Sequence, residues 1–115
     1  MMTLNLKTPQ LLRSHCLVGG QWIGASATPI LNPASGETLA RVPDFGAGEA
    51  EAAVLAAEKA FKPWSRLMAK QRSAILRCWF DLIMMHQDDL ARIMTAEQGK
   101  PLAEARGEVA YAASF

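Results

Sequence analysis

The fold is decided first by the stretch Cys16-Leu17-Val18-Gly19-Gly20-Gln21-Trp22-Ile23. It places two short apolar arms around a Gly-Gly pair, and glycine adopts without strain the positive φ angles that a tight hairpin turn requires. This stretch therefore predicts a small β-hairpin. Residues 1–15 show no clear hydrophobic period, so we expect an irregular lead-in with one short amphipathic turn around Leu11 and Leu12.

A second hairpin is predicted immediately downstream. Ile30-Leu31-Asn32 leads into Pro33-Ala34-Ser35-Gly36, where proline presets one turn angle and glycine relieves another. The chain returns through Glu37-Thr38-Leu39-Ala40-Arg41-Val42 with alternating polarity. Residues 16–42 are therefore expected to form strands and turns.

The hydrophobic period then changes to the spacing of an amphipathic helix. We expect this first helix to begin at Gly48 and to stop before Pro63, with Glu49 and Glu51 at the positive end of its dipole. Its apolar face carries Ala50, Ala53, Val54, Ala57, Ala60 and Phe61. A second helix from about Ala69 is expected to bury Ile75, Leu76, Trp79, Phe80 and Ile83.

Two further helices complete the predicted plan of two hairpins followed by about four helices. Gly99 is expected to supply the left-handed cap of the third, and Pro101 fits the first turn of the fourth. The inward residues are Leu90, Ile93 and Met94 in the third helix and Val109, Ala110 and Ala113 in the fourth. Because the last turn ends at Phe115 without a cap, we expect the chain to be truncated inside this helix.

The composition is that of one soluble globular unit, with 50% hydrophobic and 20% charged residues and a net charge of +1. The absence of a basic block argues against a nucleic-acid partner. No apolar run approaches the roughly 20 residues that cross a bilayer, so no membrane partner is expected. Cys16 and Cys78 lack the spacing or density of a disulfide scaffold, which favours a reducing, cytoplasmic compartment.

Gly46-Ala47-Gly48 superficially resembles a dinucleotide-binding turn between a strand and a helix. Glu51 occupies the position of the third glycine, and Glu49 and Glu51 would place negative charge where a pyrophosphate must bind. We therefore interpret this segment as a flexible connection into the first helix.

The two cysteines are not expected to be nucleophiles. Arg77 is adjacent to Cys78 in sequence, but residues one apart on a helix point about 100° away from each other, and no histidine stands three or four positions away. We interpret Cys78 as a small buried or half-buried hydrophobic residue. Cys16 has His15 as its neighbour, which projects to the opposite face of a strand.

His86, Asp88 and Asp89 lie at a junction between two helices, where a metal or acid–base site is conceivable. The structural interpretation is favoured, because carboxylates in the first turn of a helix are stabilised by its dipole and cap free amides. No third ligand with suitable spacing is present, so no metal site is expected.

The corner Glu97-Gln98-Gly99-Lys100-Pro101 concentrates polar groups between two helices. Lys100 could bind an anion, but a basic side chain after a helix more often complements the exposed carbonyl groups, and we favour that role. Four methionines are interpreted as filler of a core or an interface: Met68, Met84, Met85 and Met94.

Four segments together resemble the N-terminal region of the NAD(P)-dependent aldehyde dehydrogenase superfamily, in this order and spacing: Leu17–Trp22, Asn32–Glu37, the Ala-rich helix followed by Trp64-Ser65, and Glu97–Pro101. The resemblance covers nearly the whole chain from residue 16. His86–Ala91 and Lys100–Val109 look most like bacterial succinate-semialdehyde dehydrogenases.

The resemblance implies the α/β fold of an enzyme that oxidises an aldehyde to a carboxylate with NAD(P)+ through a cysteine thiolate and a glutamate. The family nucleophile lies in a context that neither Cys16 nor Cys78 shares, and its oxyanion asparagine has no counterpart in Asn5 or Asn32. We therefore expect no catalytic, cofactor-binding or metal-binding residue here, and no NAD or NADP bound to this fragment. Residues 16–115 would form the N-terminal part of the cofactor-binding domain in a family that is homo-oligomeric.

By this resemblance six turn residues belong to the scaffold: Gly19, Gly20, Pro33, Gly36, Gly99 and Pro101. The helices would bury their apolar faces on a sheet that this chain does not contain. The resemblance implies an N-terminal fragment of an NAD(P)-dependent succinate-semialdehyde dehydrogenase. Two alternatives stay open. The first alternative is a free-standing, non-catalytic helical module that pairs with a full-length subunit, and the second is another subfamily, such as a glutarate-semialdehyde dehydrogenase.

Overall fold

Residues 3–15 are irregular apart from a short 3₁₀ helix, Pro9–Leu11, which confirms the turn predicted beside Leu11. The computed structural model describes residues 3–115. The first two residues of the predicted lead-in, Met1 and Met2, lie outside the described residues.

Both predicted hairpins are present. Strand β1 (Cys16–Val18) pairs antiparallel with β2 (Gln21–Ile23), and Leu17 lies opposite Trp22. Gly19 and Gly20 form the turn with φ angles of +58° and +80°, the pair of positive angles that a type I′ turn requires. Strand β3 (Thr28–Leu31) pairs antiparallel with β4 (Thr38–Val42).

The β3–β4 turn is fixed by the side chain of Asn32. Its Oδ1 accepts hydrogen bonds from the amides of Ala34 at 2.8 Å and Ser35 at 3.3 Å. The amide of Gly36 donates to the carbonyl oxygen of Asn32 at 2.8 Å. An asparagine that closes its own turn in this way stabilises a Pro-containing loop between two short strands.

Four helices follow, as predicted: α1 (Ala47–Arg66), α2 (Ala69–Met85), α3 (Gln87–Gln98) and α4 (Leu102–Ala113). The predicted end of the first helix before Pro63 is wrong, because α1 continues through Pro63 to Arg66. This proline is exposed and lies in the last turn, so it removes one backbone hydrogen bond without breaking the helix. The amide of Leu67 then closes the end on the Trp64 carbonyl oxygen at 3.1 Å.

The corner between α3 and α4 is built on Gly99. Its φ of +80° confirms the predicted left-handed cap, and a Cβ at this position would lie 3.3 Å from Cγ of Pro33 in the β3–β4 turn. Pro101 precedes α4 instead of occupying its first turn, and its carbonyl oxygen accepts the Ala105 amide at 3.0 Å. Two turns that are distant in sequence therefore meet at this corner.

The hydrophobic core lies between α3 and α4. Ala91 and Ala105 are fully buried and Val109 is 5% exposed. Four half-buried residues surround them: Ile83, Leu90, Met94 and Leu102. Small residues at the centre let the two helices approach closely, which confirms the inward direction predicted for Leu90, Met94 and Val109.

The burial predicted for α2 is wrong for three of its five residues. Ile75, Leu76 and Trp79 are 52%, 49% and 63% exposed, whereas Phe80 and Ile83 are half-buried. α4 packs against one side of α2. Within residues 3–115 the side that carries Ile75 and Trp79 stays mostly exposed to solvent, although Trp79 adjoins the end of α4.

Candidate functional site

A wide exposed apolar surface begins on α1. Val54 and Phe61, on the predicted apolar face, are 66% and 65% exposed, and no residue of α1 is buried. Within the described part of the chain, no helix or strand packs extensively against α1. Most of the stability of such a helix comes from packing of its apolar face. α1 therefore gains little stability from packing within residues 3–115.

This surface continues from α1 onto α2 and α4 through Trp64. Trp64 lines one hollow of about 580 Å³ with Phe61 and a second of about 570 Å³ with Leu76 and Phe80. A third hollow, of about 430 Å³, shares Leu76 and Phe80 with the second. We call the joined surface the apolar groove and define it by its large apolar residues: Phe61, Trp64, Leu76, Trp79, Phe80 and Phe115. Its second hollow also has polar walls, formed by Arg72, Ser73, Arg77 and Ser114.

The chain exposes more surface than a compact protein of its size. Its accessible area is 8363 Å² for 12.5 kDa, whereas a folded monomer of this mass exposes about 6,200 Å². The Cα radius of gyration is 16.4 Å, against about 13 Å for a compact domain of this length. The excess of about 2,200 Å² per chain has the size of an obligate interface.

A charged cluster joins α3 to α4 on the other side of the core. Asp88 accepts hydrogen bonds from Nε of Arg92 at 3.0 Å and from Nε and Nη2 of Arg106 at 2.9 and 2.5 Å. The hydrogen bonds from Arg106, followed by those from Arg92, hold the pKa of the Asp88 carboxyl below its usual value. The cluster fixes the angle between two helices, since both arginines are already bound to a carboxylate.

Asp89 binds the lead-in instead of its own helix. It is 3% exposed, and its two carboxylate oxygens accept hydrogen bonds from the amides of Lys7 at 3.0 Å and Thr8 at 2.7 Å. Asp88 and Asp89 do lie in the first turn of α3, as predicted, but neither caps its amides. The predicted capping role is therefore wrong, because Asp88 binds the side chains of Arg92 and Arg106 and Asp89 binds the amides of Lys7 and Thr8.

The two cysteines are free, and Cys78 is exposed on α2. The interpretation of Cys78 as a buried or half-buried residue is wrong, since it lies on a helix whose solvent side is unpartnered. Cys16 is half-buried at the start of β1, and the ring of His15 beside it contacts the Ser14 hydroxyl at 3.2 Å. Neither thiol has a histidine positioned to activate it in the contacts seen over residues 3–115.

The Gly46–Gly48 turn does not fit a dinucleotide. The carboxylate of Glu49 accepts the Gly46 amide at 2.9 Å, and this backbone hydrogen bond lowers the pKa of Glu49. Gly46 caps α1, while Ala47 and Gly48 already belong to its first turn. A negative side chain therefore occupies the helix N-terminus where a pyrophosphate would have to bind.

Lys100 pairs with Glu108 of α4, so its predicted contact with helix carbonyl groups is wrong. Among the methionines interpreted as filler, Met68 and Met85 are exposed, and Met84 and Met94 are half-buried.

Over residues 3–115 no group of three His, Cys, Asp or Glu side chains is placed to hold a metal ion. No described helix is long and apolar enough to cross a membrane.

Sequence reasoning missed the connecting roles of Trp64, Arg92 and Arg106. The spacing of four between Asp88 and Arg92 is a recognisable signal for an ion pair on one helix. Nothing in the sequence signals that Arg106 reaches Asp88 from the next helix, or that Asp89 binds amides more than 80 positions earlier. Those contacts follow from tertiary packing.

The described residues form two hairpins and four helices with one small core and a wide exposed apolar surface. The sequence profile of the "Aldehyde dehydrogenase family" matches residues 22–115. Since this match spans most of the chain, the protein belongs to the aldehyde dehydrogenase family.

Three relatives are similar to this chain over nearly its whole length, and each alignment covers 97% of this chain and 24% of the relative. They are the NADP(+) succinate-semialdehyde dehydrogenase of Escherichia coli K12 at 52% identity, the 3-sulfolactaldehyde dehydrogenase of Pseudomonas putida at 51% and the glutarate-semialdehyde dehydrogenase of P. putida KT2440 at 51%. The chain therefore spans about a quarter of the length of the curated relatives it matches.

A solved aldehyde dehydrogenase from Brucella melitensis biovar abortus has the same fold over the matched region. The match has a TM-score of 0.93 and 52% identity, and it covers 98% of this chain and 24% of that one. This agreement confirms that the two hairpins and four helices form part of the aldehyde dehydrogenase fold.

Proposed function

We propose that this chain is the N-terminal scaffold region of an NAD(P)-dependent succinate-semialdehyde dehydrogenase, the enzyme that converts succinate semialdehyde to succinate. The observation that carries the proposal is the combination of family membership over residues 22–115 with an interface-sized excess of exposed surface. Such a segment supplies packing and leaves the reaction to other parts of the enzyme.

The chain alone is proposed to be inactive and to bind no cofactor. Glu49 occupies the only turn that resembled a phosphate site in the sequence, and neither cysteine has an activating partner among its described contacts. In the complete enzyme, NAD or NADP would accept the hydride while residues outside this chain hold it. Because both thiols are free, we also propose a cytoplasmic location. The complete enzyme is proposed to be a homo-oligomer, as the family resemblance implies.

The substrate assignment favours succinate semialdehyde because the resemblance in His86–Ala91 and Lys100–Val109 points there. Identities of 51–52% to three dehydrogenases with different named substrates also support the broader class of aldehydes that carry an acidic group. Glutarate semialdehyde is the second candidate within that class.

A chimera tests this proposal. The 115 residues replace the matching quarter of the E. coli enzyme, and NADPH formation is followed with succinate and glutarate semialdehydes beside the isolated chain. We expect succinate-semialdehyde turnover within about 10-fold of the E. coli enzyme and none from the isolated chain. Turnover by the isolated chain, or a folded but inactive chimera, would contradict the proposal.

A non-catalytic module that pairs with a full-length subunit is the alternative that the exposed groove also supports. A finished module unfolds cooperatively and covers its apolar faces, whereas part of a larger domain binds hydrophobic dye in its native state. We expect strong dye binding by the isolated chain, with a signal that decreases in the chimera.

A further inference from the structure

We propose that residues 3–12 form a strap that opens and closes as one unit at a hollow beside the α3–α4 corner, with Asp89 as its latch. The strap has a base fixed on the hairpins, a single polar latch on α3 and a far end that lines the hollow. All of these parts lie within this chain, so the device goes beyond the proposed function and operates whichever aldehyde the complete enzyme oxidises.

The latch joins the strap to α3 through one buried side chain. Asp89 is 3% exposed, and its two carboxylate oxygens accept the amides of Lys7 at 3.0 Å and Thr8 at 2.7 Å. Within residues 3–115 no other hydrogen bond or ion pair connects the strap to a helix. When the strap leaves, a buried carboxylate loses both donors at once and must be hydrated. The latch therefore has two states, closed and open.

Hydrogen bonds within the strap connect the residues on both sides of the latch. The Leu6 amide donates to the Leu4 carbonyl oxygen at 2.9 Å, and the Leu11 amide donates to the Thr8 carbonyl oxygen at 3.1 Å. Thr8 thus contributes its amide to the latch and its carbonyl oxygen to the short 3₁₀ helix. No strap residue is buried, so little apolar contact opposes opening once the latch is lost. We therefore expect the whole strap to be released together.

The base of the strap is held on the hairpins, away from α3. The guanidinium of Arg13 lies 4.6 Å from the centroid of the Trp22 ring. The Ser26 hydroxyl donates to the carbonyl oxygen of Ser14 at 3.3 Å. These contacts lie outside the strap and stay in place when it opens, so motion is confined to residues 3–12.

The far end of the strap lines a hollow of about 410 Å³. Thr3, Leu4 and Asn5 form one wall, and the other walls include the β3–β4 turn and, at the end of α3, Thr95 and Gly99. The buried Oγ1 of Thr95 has no hydrogen-bond partner among residues 3–115. A buried hydroxyl without a partner is unfavourable, and removing one wall of the hollow lets water bind it. Asp89 therefore holds the strap closed, while Thr95 favours opening.

Trypsin cleavage and amide exchange of the 115-residue chain test the latch. Trypsin cleaves after Lys7 only when the strap is open, because a protease requires a released segment. Asp89→Ala should raise this cleavage rate, and the exchange rates of the Leu6, Thr8 and Leu11 amides, by at least about 10-fold. Intact chain and N-terminal peptides are followed by mass spectrometry, and exchange is followed by NMR.

The control and the opposite change use two other positions. Asp81→Ala removes an exposed carboxylate on α2 and should leave every rate in the strap unchanged. Thr95→Val removes the unpartnered hydroxyl and keeps the branched shape of the side chain. Cleavage after Lys7 and exchange in the strap should therefore slow by at least about 3-fold in this variant.

Three results would overturn the proposal. In the first, Asp89→Ala accelerates exchange at Lys7 and Thr8 but not at Leu11, so the strap does not move as one unit. In the second, the Val109 amide in α4 accelerates by the same factor, so Asp89 holds the whole fold and not the strap. In the third, Thr95→Val leaves the cleavage rate unchanged or raises it.

Discussion

Helix α1 and the α3–α4 pair are both amphipathic, yet only the pair has its apolar faces packed within this chain. α3 and α4 bury Ala91, Ala105 and Val109 between them and are joined by the Asp88 cluster. α1 is the longest helix, with 20 residues, and buries none of them. The difference shows that apolar periodicity predicts a helix and which of its faces is apolar. It does not predict whether another part of the same chain packs on that face.

For the isolated chain, the largest expected effect on stability comes from overpacking the α3–α4 core. Ala91→Leu should destabilise this pair by about 2–3 kcal/mol, because extra methylenes at a fully buried position force the helices apart. Denaturant unfolding followed by amide exchange in α3 and α4 measures the loss. Ala57→Leu on exposed α1 is the matched control and should change stability by less than about 0.5 kcal/mol. Equal losses in both variants would remove the contrast between the regions.

The next effect concerns the lead-in. Asp89→Ala leaves the amides of Lys7 and Thr8 without their acceptors and should cost about 1–2 kcal/mol. Exchange of these two amides should accelerate, while exchange in α1 stays as it was. Asp89→Asn keeps one acceptor oxygen, so its stability and its amide exchange rates should lie between those of the parent and those of Asp89→Ala. Unchanged exchange at Lys7 and Thr8 in the alanine variant would show that their hydrogen bonds to Asp89 are not formed in solution.

A smaller effect depends on pH. Because the folded-state pKa of Asp88 is lowered, its contribution to α3–α4 stability is present above the unfolded pKa of about 4 and is lost as pH falls through the folded value. Asp88→Asn should therefore be less stable than the parent at pH 7, with the two curves converging in acid. The exposed pair of Asp81 and Arg77 supplies the control, and Asp81→Asn should show much less pH dependence. A difference that persists at pH 2 would assign the loss to something other than charge.

For the isolated chain, the smallest expected effect on stability is in the groove itself. Phe61→Ala should change the stability of the isolated chain by less than about 0.5 kcal/mol, since the side chain is mostly in water already. In the chimera the same substitution should cost about 3–5 kcal/mol, because a packed aromatic residue would be lost. Thermal unfolding of both proteins measures the two values, and equal values would contradict the role of α1 as an interface.

Local chemistry explains what the sequence could predict. The glycine pair at Gly19, the asparagine turn at Asn32 and the left-handed cap at Gly99 each depend on a few neighbouring residues, so these turns and all four helices were predictable. The predicted end of α1 before Pro63 was wrong because this proline lies in the last turn. There the helix loses one backbone hydrogen bond and still continues to Arg66.

Burial and long-range contacts were not predictable, because they depend on which element lies opposite. Trp79 and Cys78 have residue types that are common in cores, but both are exposed within residues 3–115. Asp89 has the position of a helix cap, yet it binds the lead-in. The resemblance to the family anticipated the unpartnered faces, whereas periodicity alone predicted them buried.

Amide hydrogen exchange on the 115-residue chain is the most direct test of the contrast between α1 and the α3–α4 pair. We predict that the central amides of α3 and α4 exchange at least about 100-fold more slowly than those of α1, since only the pair is packed. If the amides of α1 are protected as strongly as those of α3 and α4, α1 does not require a partner, and the interpretation of this chain as a scaffold region with an open interface is wrong.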